Sequence, residues 1–406
     1  MSTATPSAER LTEGPTGPIL ILSVERGQLQ AGLLVLASGT YQLVTQQRVA
    51  RQAEIPVTEQ LGELIQRLGE PLGCRLWDAE RGQPWLHSDD PIRFPPLEQV
   101  AIAASLADHP RVHLISLTGH VSGAAALEAL AESPAQLVGH TSLSPDLTSA
   151  SLSQALAATR PDAVIIAGGY EQAGEGIRHS LRELCRLVGQ ALSQVPGVWR
   201  PAVLYAGASS VAQDAAGLLQ TRNGVAVTVV ENVAPGPGQI RTVGITAGLQ
   251  QLYTRLSQAR PGYPQLAQWA SRRPAGSPAR VLPVETAFVH LVQLWQLVQG
   301  LPRLHGVLCD EAGQSWRLHV WAEEERVTLR YVAAQTPLQA LTGWPPVRLL
   351  CGNWPAAAGP APAAAWWDPT RLAPAVACVG QIFPLVTVHV LTSSVWRQAQ
   401  GENPLA

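Results

Sequence analysis

Ten histidines, five scattered cysteines and a complete absence of lysine set the limits on the chemistry open to this chain. All 28 basic residues are arginine, which excludes a Walker A phosphate lysine, a pyridoxal Schiff base and a kinase strand lysine. His109 and His113 stand four apart, the spacing at which two imidazoles share a helix face and a metal. Pro110 lies between them and His113 enters an apolar strand run, so that face is broken; His120 follows alone. Gly168-Gly169, with Gly174 and Gly176, closes another apolar run and has the composition of a phosphate-cradling loop. It is not GxGxxG and has no acidic residue placed on a following strand, so a tight strand-to-helix turn explains it more simply. Ser209 and Ser210 are candidate nucleophiles, but no GxSxG elbow occurs anywhere. Capping the helix that starts at Val211 is the simpler role. The run Glu323–Glu325 before Arg326 reads as a solvated turn.

Positioning these groups needs a large scaffold, and the composition supplies one. The 406 residues are 46% hydrophobic and 14% charged, enough for one large or two ordinary domains with a full core. Cys74, Cys185, Cys309, Cys351 and Cys378 are odd in number and form no CxxC, which excludes a disulfide framework and favours a reducing compartment. The net charge of -2, with no basic stretch, argues against nucleic acid as partner. The first 17 residues lack a signal-peptide core, and no run reaches the ~20 apolar residues of a spanning helix. The expectation is a cytoplasmic protein without a membrane partner.

Along the chain, Pro18–Glu25, Gln28–Leu36 and Tyr41–Val49 read as three strands joined by the turns Arg26-Gly27 and Ser38-Gly39, a meander. Val57–Leu68 has helical spacing, with Thr58 as its expected N-cap. Residues 74–97 read as a long surface loop. Val112–Leu117, Ala163–Ala167, Ala202–Ala206 and Val225–Val230 are short apolar runs, and the first three lead into helical patterns, as in a parallel α/β layer. Arg241–Leu256 is a helix pattern, Ala270–Pro283 the best linker, and Val284–Val298 a second amphipathic helix. Val307–Glu311, Trp316–Ala322 and Arg326–Val332 repeat the meander around the turn Ala312-Gly313. Val347–Leu350, Arg371–Val379 and Pro384–Leu391 follow it. A meander plus α/β is thus followed by a shorter meander plus α/β.

That duplication describes the actin-like ATPase fold, and three segments carry a closer resemblance. Arg160–Gly169 (RPDAVIIAGG), Arg200–Leu219 (RPAVLYAGASSVAQDAAGLL) and Glu231–Leu249 (ENVAPGPGQIRTVGITAGL) are similar to signature stretches of the glutamate-mutase-associated MutL family. The resemblance covers most of residues 18–390. It implies an α/β fold of two actin-like (ribonuclease-H-like) lobes, the second shorter, each opening with a β-meander. The boundaries it implies are a tail at 1–17, a first lobe at 18–279 with an inserted α/β region, a second lobe at 280–398, and a tail at 399–406.

The family's nucleotide loops can be followed residue by residue. In the first phosphate loop the carboxylate that would organise Mg²⁺ falls on Ser23, a glycine on Glu25, and Gly27 lies at the turn. A hard cation wants oxygen ligands, usually carboxylates, and a phosphate wants exposed N–H groups; Glu25 adds negative charge instead, so this loop is unsuited to phosphate as aligned. In the second, Asp310, Gly313 and Ser315 stand beside Ala312, Trp316 and Arg317, and Trp316 fills space that a phosphate needs. The adenosine loop falls on Gly352, Asn353 and Trp354, where the indole blocks the close backbone approach that glycines allow. The reading is a nucleotide-silent, non-enzymatic member of the family with no metal and no cofactor, acting as a protein–protein partner, scaffold or self-associating subunit. Its alternative is an ATP- and Mg²⁺-dependent reactivating factor for an adenosylcobalamin mutase. Trp366 and Trp367, beside the Pro/Ala-rich stretch 355–365, are the expected partner contact.

Overall fold

The computed structural model describes residues 17–37, 40–88, 91, 95–195, 199–219, 225–270, 281–298, 303–309, 316–323, 326–331, 348–352 and 386–390. Its described residues form a mixed α/β protein with eight α-helices and both parallel and antiparallel sheets. Packing divides the chain into two compact units, Met1–Leu106 with Ser257–Ala406, and Ala107–Leu256.

The first unit opens with β1 (Ile19–Val24), β2 (Gln28–Ala37) and β3 (Thr40–Ala50), the meander expected from the three strand runs and the turns between them. The short strands β4 (Trp77–Asp78) and β5 (Gln83–Pro84) pair with each other. Then β6 (Gln99–Ala104) pairs parallel with β1, giving a sheet ordered β3-β2-β1-β6. β1 is buried on both faces, which is why it reads as a continuous apolar run rather than an alternating one. Ile19, Ile21, Leu34, Ala101 and Ala103 form one core with α8 (Val284–Val298), whose Phe288, Leu291 and Val292 are buried. Leu20, Leu22, Val24, Leu29 and Leu33 form another with α1 (Val57–Gly69) and α7 (Tyr263–Ala270). The apolar stripe Leu61, Leu64, Ile65 and Leu68 explains why α1 forms where it does. Thr58 does not cap it: the N-cap is Pro56, whose fixed φ starts the helix without a side-chain bond.

Residues 74–97 are not a plain surface loop. Leu76, Leu86 and Leu97 enter the α1 core, and Trp77 meets Trp269 edge-on at 5.5 Å between ring centres. Spacing alone hid these single anchors, because none recurs at a helix or strand period. The expected linker also ends inside the fold, with Leu282 buried and bridged to Ala103. Beyond α8, β12 (Arg303–Cys309), β13 (Trp316–Glu323), β14 (Arg326–Tyr331), β15 (Arg348–Gly352) and β16 (Val386–Val390) form a sheet ordered β14-β13-β12-β15-β16. Its first four strands repeat the order and senses of the first sheet: two antiparallel pairings, then a parallel one.

The second unit is a five-stranded parallel sheet. Its strands are β7 (Arg111–Ser116), β8 (Gln136–Ser142), β9 (Ala163–Gly168), β10 (Ala202–Gly207) and β11 (Val227–Val229), in the order β11-β10-β9-β7-β8. α2 (Ala124–Ala131), α3 (Ser149–Thr159), α4 (Glu175–Ser193), α5 (Ala212–Leu219) and α6 (Val243–Gln258) lie between or after these strands. Numbered by sequence this is the doubly wound order 2-1-3-4-5, whose direction switches between β7 and β9. One core lies on the side of α3, α4 and α5 and another on the side of α2 and α6, so β9 and β10 are buried on both faces. β8 and β6 escape a reading by apolar runs: β8 is a half-exposed edge strand that mixes polar residues with Leu137 and Val138, and β6 is rich in alanine.

Candidate functional site

The hairpin between β1 and β2 carries the first of the expected loops. Ladder pairing runs to Val24 opposite Leu29, and the Glu25 N–H then donates to the Gln28 carbonyl at 2.9 Å. Only Arg26 and Gly27 remain as the tip, and both are exposed. A phosphate needs several converging N–H groups, and a two-residue tip presents few. Ser23 and Glu25 lie two apart on the face that Ile19 and Ile21 turn towards α8, and each is 0% exposed. The Glu25 carboxylate accepts from Gln28 Nε2 at 2.9 Å, and Arg51 reaches the Glu25 carbonyl at 3.5 Å.

Around this pair the sheet gathers a buried polar layer above an apolar core. Gln30 is the cross-strand partner of Ser23 and is 1% exposed. On the other side of β1, Ser105 follows β6 and donates its N–H to the Val24 carbonyl. The Ser105 hydroxyl donates to Glu285 Oε2 at 2.6 Å and accepts from the Val284 N–H at 2.9 Å, fixing the start of α8. Glu285 is 2% exposed. With neighbouring strands about 4.8 Å apart, Gln28, Glu25 and Ser105 form a row across three strands with Glu285 next to it. Ser23 Oγ and Gln28 Oε1 are buried and have no hydrogen-bond partner. Sequence reasoning missed Gln28, Ser105 and Glu285. The only signal was Ser105 at the end of one apolar run and Glu285 at the start of a helix, 180 positions apart.

In the second unit, three strand ends converge on one carboxylate. Glu171, from the loop after β9, accepts from the Ser209 N–H at 3.1 Å, from the Ser209 hydroxyl, and from Asn232 Nδ2 at 2.7 Å. Asn232 also donates to the Gly169 carbonyl at 2.9 Å, and Gly169 takes a left-handed φ of 75°. Desolvation raises the pKa of Glu171, but the Ser209 and Asn232 bonds and the Arg241 charge outweigh it and hold the group below the usual carboxylate range. Glu171 thus anchors the loops after β9, β10 and β11. Ser209 is therefore not the expected cap: Ala208 precedes the turn Ser209–Val211, and the Ser209 side chain bonds Glu171.

Beside β7, His113 is 2% exposed and sits between two hydroxyls, with Nε2 2.9 Å from Thr141 Oγ1 and Nδ1 3.3 Å from Thr159 Oγ1. Burial, and then the charge of His140, push its pKa down to about 4. The ring fits because residue 139 is glycine; a Cβ there would lie 2.4 Å from Nδ1. Ser116 Oγ is 2.9 Å from His140 Nε2 and 3.0 Å from Ser142 Oγ. His109 stacks edge-on against Tyr253, away from a shared helix face with His113. Among the described residues no three His, Cys, Asp or Glu side chains converge as a metal set. Cys185 is buried and its thiol is pushed up to about 12 by desolvation, so it is not a nucleophile at neutral pH.

Of the expected site residues, Ser23, Glu25 and Gly27 come together as described. Gly352 ends β15, next to Leu308 of β12. Asp310, Gly313, Ser315, Asn353, Trp354, Trp366 and Trp367 lie outside the described residues, as does the turn Ala312-Gly313. Among the described residues no helix is long and apolar enough to cross a membrane.

A model of the MutL protein family matches residues 32–293, more than half of the chain. No curated protein matches it. Two solved structures are similar to it: T. thermophilus RuvC in complex with a Holliday junction substrate, and a Thermus thermophilus RuvC structure. Each is 11% identical and covers 60% of this chain and 99% of its own, with TM-scores of 0.15 and 0.14. Scores that low carry no argument about fold or function.

Proposed function

Because this chain belongs to the MutL family, which is associated with glutamate mutase, we propose that it is a non-catalytic accessory protein that binds another protein without using nucleotide. The observation that carries this reading is the β1–β2 hairpin. Its two-residue tip and its buried, Gln28-bonded Glu25 form the segment that the family resemblance aligns with the first phosphate loop, and their geometry supports the reading. The repeat of one strand order in two sheets supports two actin-like lobes, 18–279 and 280–398, as the ancestral frame. The partner is a mutase subunit or a second copy of the chain, with Trp366-Trp367 as contact, in the cytoplasm and with no cofactor.

Two measurements test this. ATP with Mg²⁺ at millimolar concentration should leave the melting temperature unchanged, because a ligand at 100 times its Kd would stabilise the fold by about 2.7 kcal/mol. Tagged protein should retain purified glutamate mutase subunits or a second copy of itself. A reproducible rise in melting temperature with ATP would replace this reading with an ATP-dependent reactivating factor. The polar layer of Ser23, Gln28, Ser105 and Glu285 is the observation that favours that second reading.

A further inference from the structure

We propose that β8 and α3 form one acid-released segment, which opens from the edge of the second unit as His113 takes up a proton. The segment runs without interruption from Gln136 to Thr159. No residue of β8 is fully buried, and α3 buries only Leu152 and Leu156. By contrast β9, on the other side of β7, is buried along its whole length. Elements with so little buried surface open at free energies below that of the whole fold. The ladder from β8 to β7 is also interrupted, by a register shift between Val112 and His113. At the far end Arg160 closes α3 in a left-handed conformation, with φ 41°, and Pro161 follows it. That conformation strains a residue that carries a Cβ, and opening at this point relieves it, which makes Arg160 the hinge.

His113 ties both parts of the segment to β7. Its Nε2 meets Thr141 Oγ1 of β8 at 2.9 Å, and its Nδ1 meets Thr159 Oγ1 of α3 at 3.3 Å. Thr159 gives its own hydroxyl proton to the Ala155 carbonyl at 2.9 Å, so towards the ring it only accepts. Nδ1 therefore carries the ring proton, and Nε2 accepts from Thr141. Both nitrogens of the neutral ring are matched. A second proton, on Nε2, opposes the Thr141 hydroxyl and encloses a charge with no carboxylate bonded to it. The charged and titratable groups on the elements around the ring are Arg111 on β7, His140 on β8, Arg160 after α3 and Asp162 before β9. Asp162 accepts from the Arg111 N–H; His140, bonded to Ser116, is the one of these groups that acts on the ring. In the opened segment the ring meets water and charges near pH 6.5, whereas in the closed one it resists down to about pH 4. The closed form is thus favoured in full above pH 6.5 and loses ground as pH falls towards 4. Opening is then about 20-fold more populated at pH 5 than at pH 7.

The test is native-state hydrogen exchange of the full chain at pH 5 and pH 7, corrected for intrinsic rates and followed at low urea concentrations. Amides of β8 and α3 should open at lower free energy and with a smaller urea dependence than those of β9 and β10. Their opening constants should be about 20-fold larger at the lower pH. His113→Gln, which cannot charge, should hold them level between the two pH values. Arg160→Gly relieves the hinge and leaves the ring in place, so it keeps the test open if His113→Gln does not fold. It should slow exchange in β8 and α3 several-fold at both pH values and keep the ratio between them. The proposal is overturned if β8 and α3 exchange with the opening free energy and urea dependence of β9 and β10, which would mean that acid unfolds the unit as a whole. It is equally overturned if their opening does not respond to pH, if the response survives in His113→Gln, or if Arg160→Gly leaves exchange unchanged.

Discussion

Protonation of His113 should be the main reason the second unit loses stability in mild acid. An unfolded histidine titrates near 6.5, whereas folded His113 titrates near 4 because its ring is buried and faces His140. The folded value is the lower one, so the contribution is present in full above the unfolded pKa. It is lost as pH falls from about 6.5 towards 4, because the unfolded chain takes up the proton first. Each unit of difference is worth 1.36 kcal/mol, which makes the limiting loss about 3 kcal/mol, with about 2 kcal/mol already gone at pH 5. Urea melts of the full chain at fixed pH between 5 and 7.5 measure this, with histidine NMR to read the folded titration directly. His113→Gln keeps a side chain able to meet Thr141 but cannot charge. It should lower stability at neutral pH and flatten the fall between pH 7 and 5 by about 2 kcal/mol. If wild type and His113→Gln lose stability in parallel over that range, or if the His113 resonance titrates near 6.5 in the folded protein, the reasoning fails.

Three further outcomes are expected. Gly189→Ala should destabilise the second unit by about 1–3 kcal/mol or more, because its Cβ would lie 2.2 Å from the Leu218 carbonyl oxygen where α4 crosses α5, and backbone yields poorly; thermal melting checks it. Leu61→Ala should cost about 2–5 kcal/mol, since Leu61 is 0% exposed in the core between α1 and the first sheet; denaturant melts measure the loss. Glu171→Ala should cost about 1 kcal/mol and raise amide exchange at Ser209 and in the loop after β9, because the Ser209 N–H and the Asn232 amide lose their shared acceptor. Unchanged exchange there would show that the three loops are held by packing alone.

The sequence by itself determined the elements whose pattern is periodic or continuous. β1 follows from a continuous apolar run, β2 and β3 from strand runs bounded by turn residues, α1 and α8 from helical spacing, and β9 and β10 from apolar runs that end in small residues. It also settled chemistry by subtraction, since a chain without lysine cannot place one anywhere. The family's signature segments were legible too, because each is contiguous. Only the tertiary structure decided which polar residues are sites. Ser105 and Glu285 carry no local signal, and they meet because β6 lies against β1 while α8 starts above it. Ser209 looked like a helix cap, whose hydroxyl would accept from a backbone N–H, but it donates instead to a carboxylate from a loop on another strand. His113 stood in sequence as half of a broken metal pair. Whether its ring would be hydrated or enclosed depended on Gly139, Thr141 and Thr159, which a parallel sheet and one helix bring to it. Burial and hydrogen-bond satisfaction are sums over neighbours distant in the chain, so a linear pattern does not contain them.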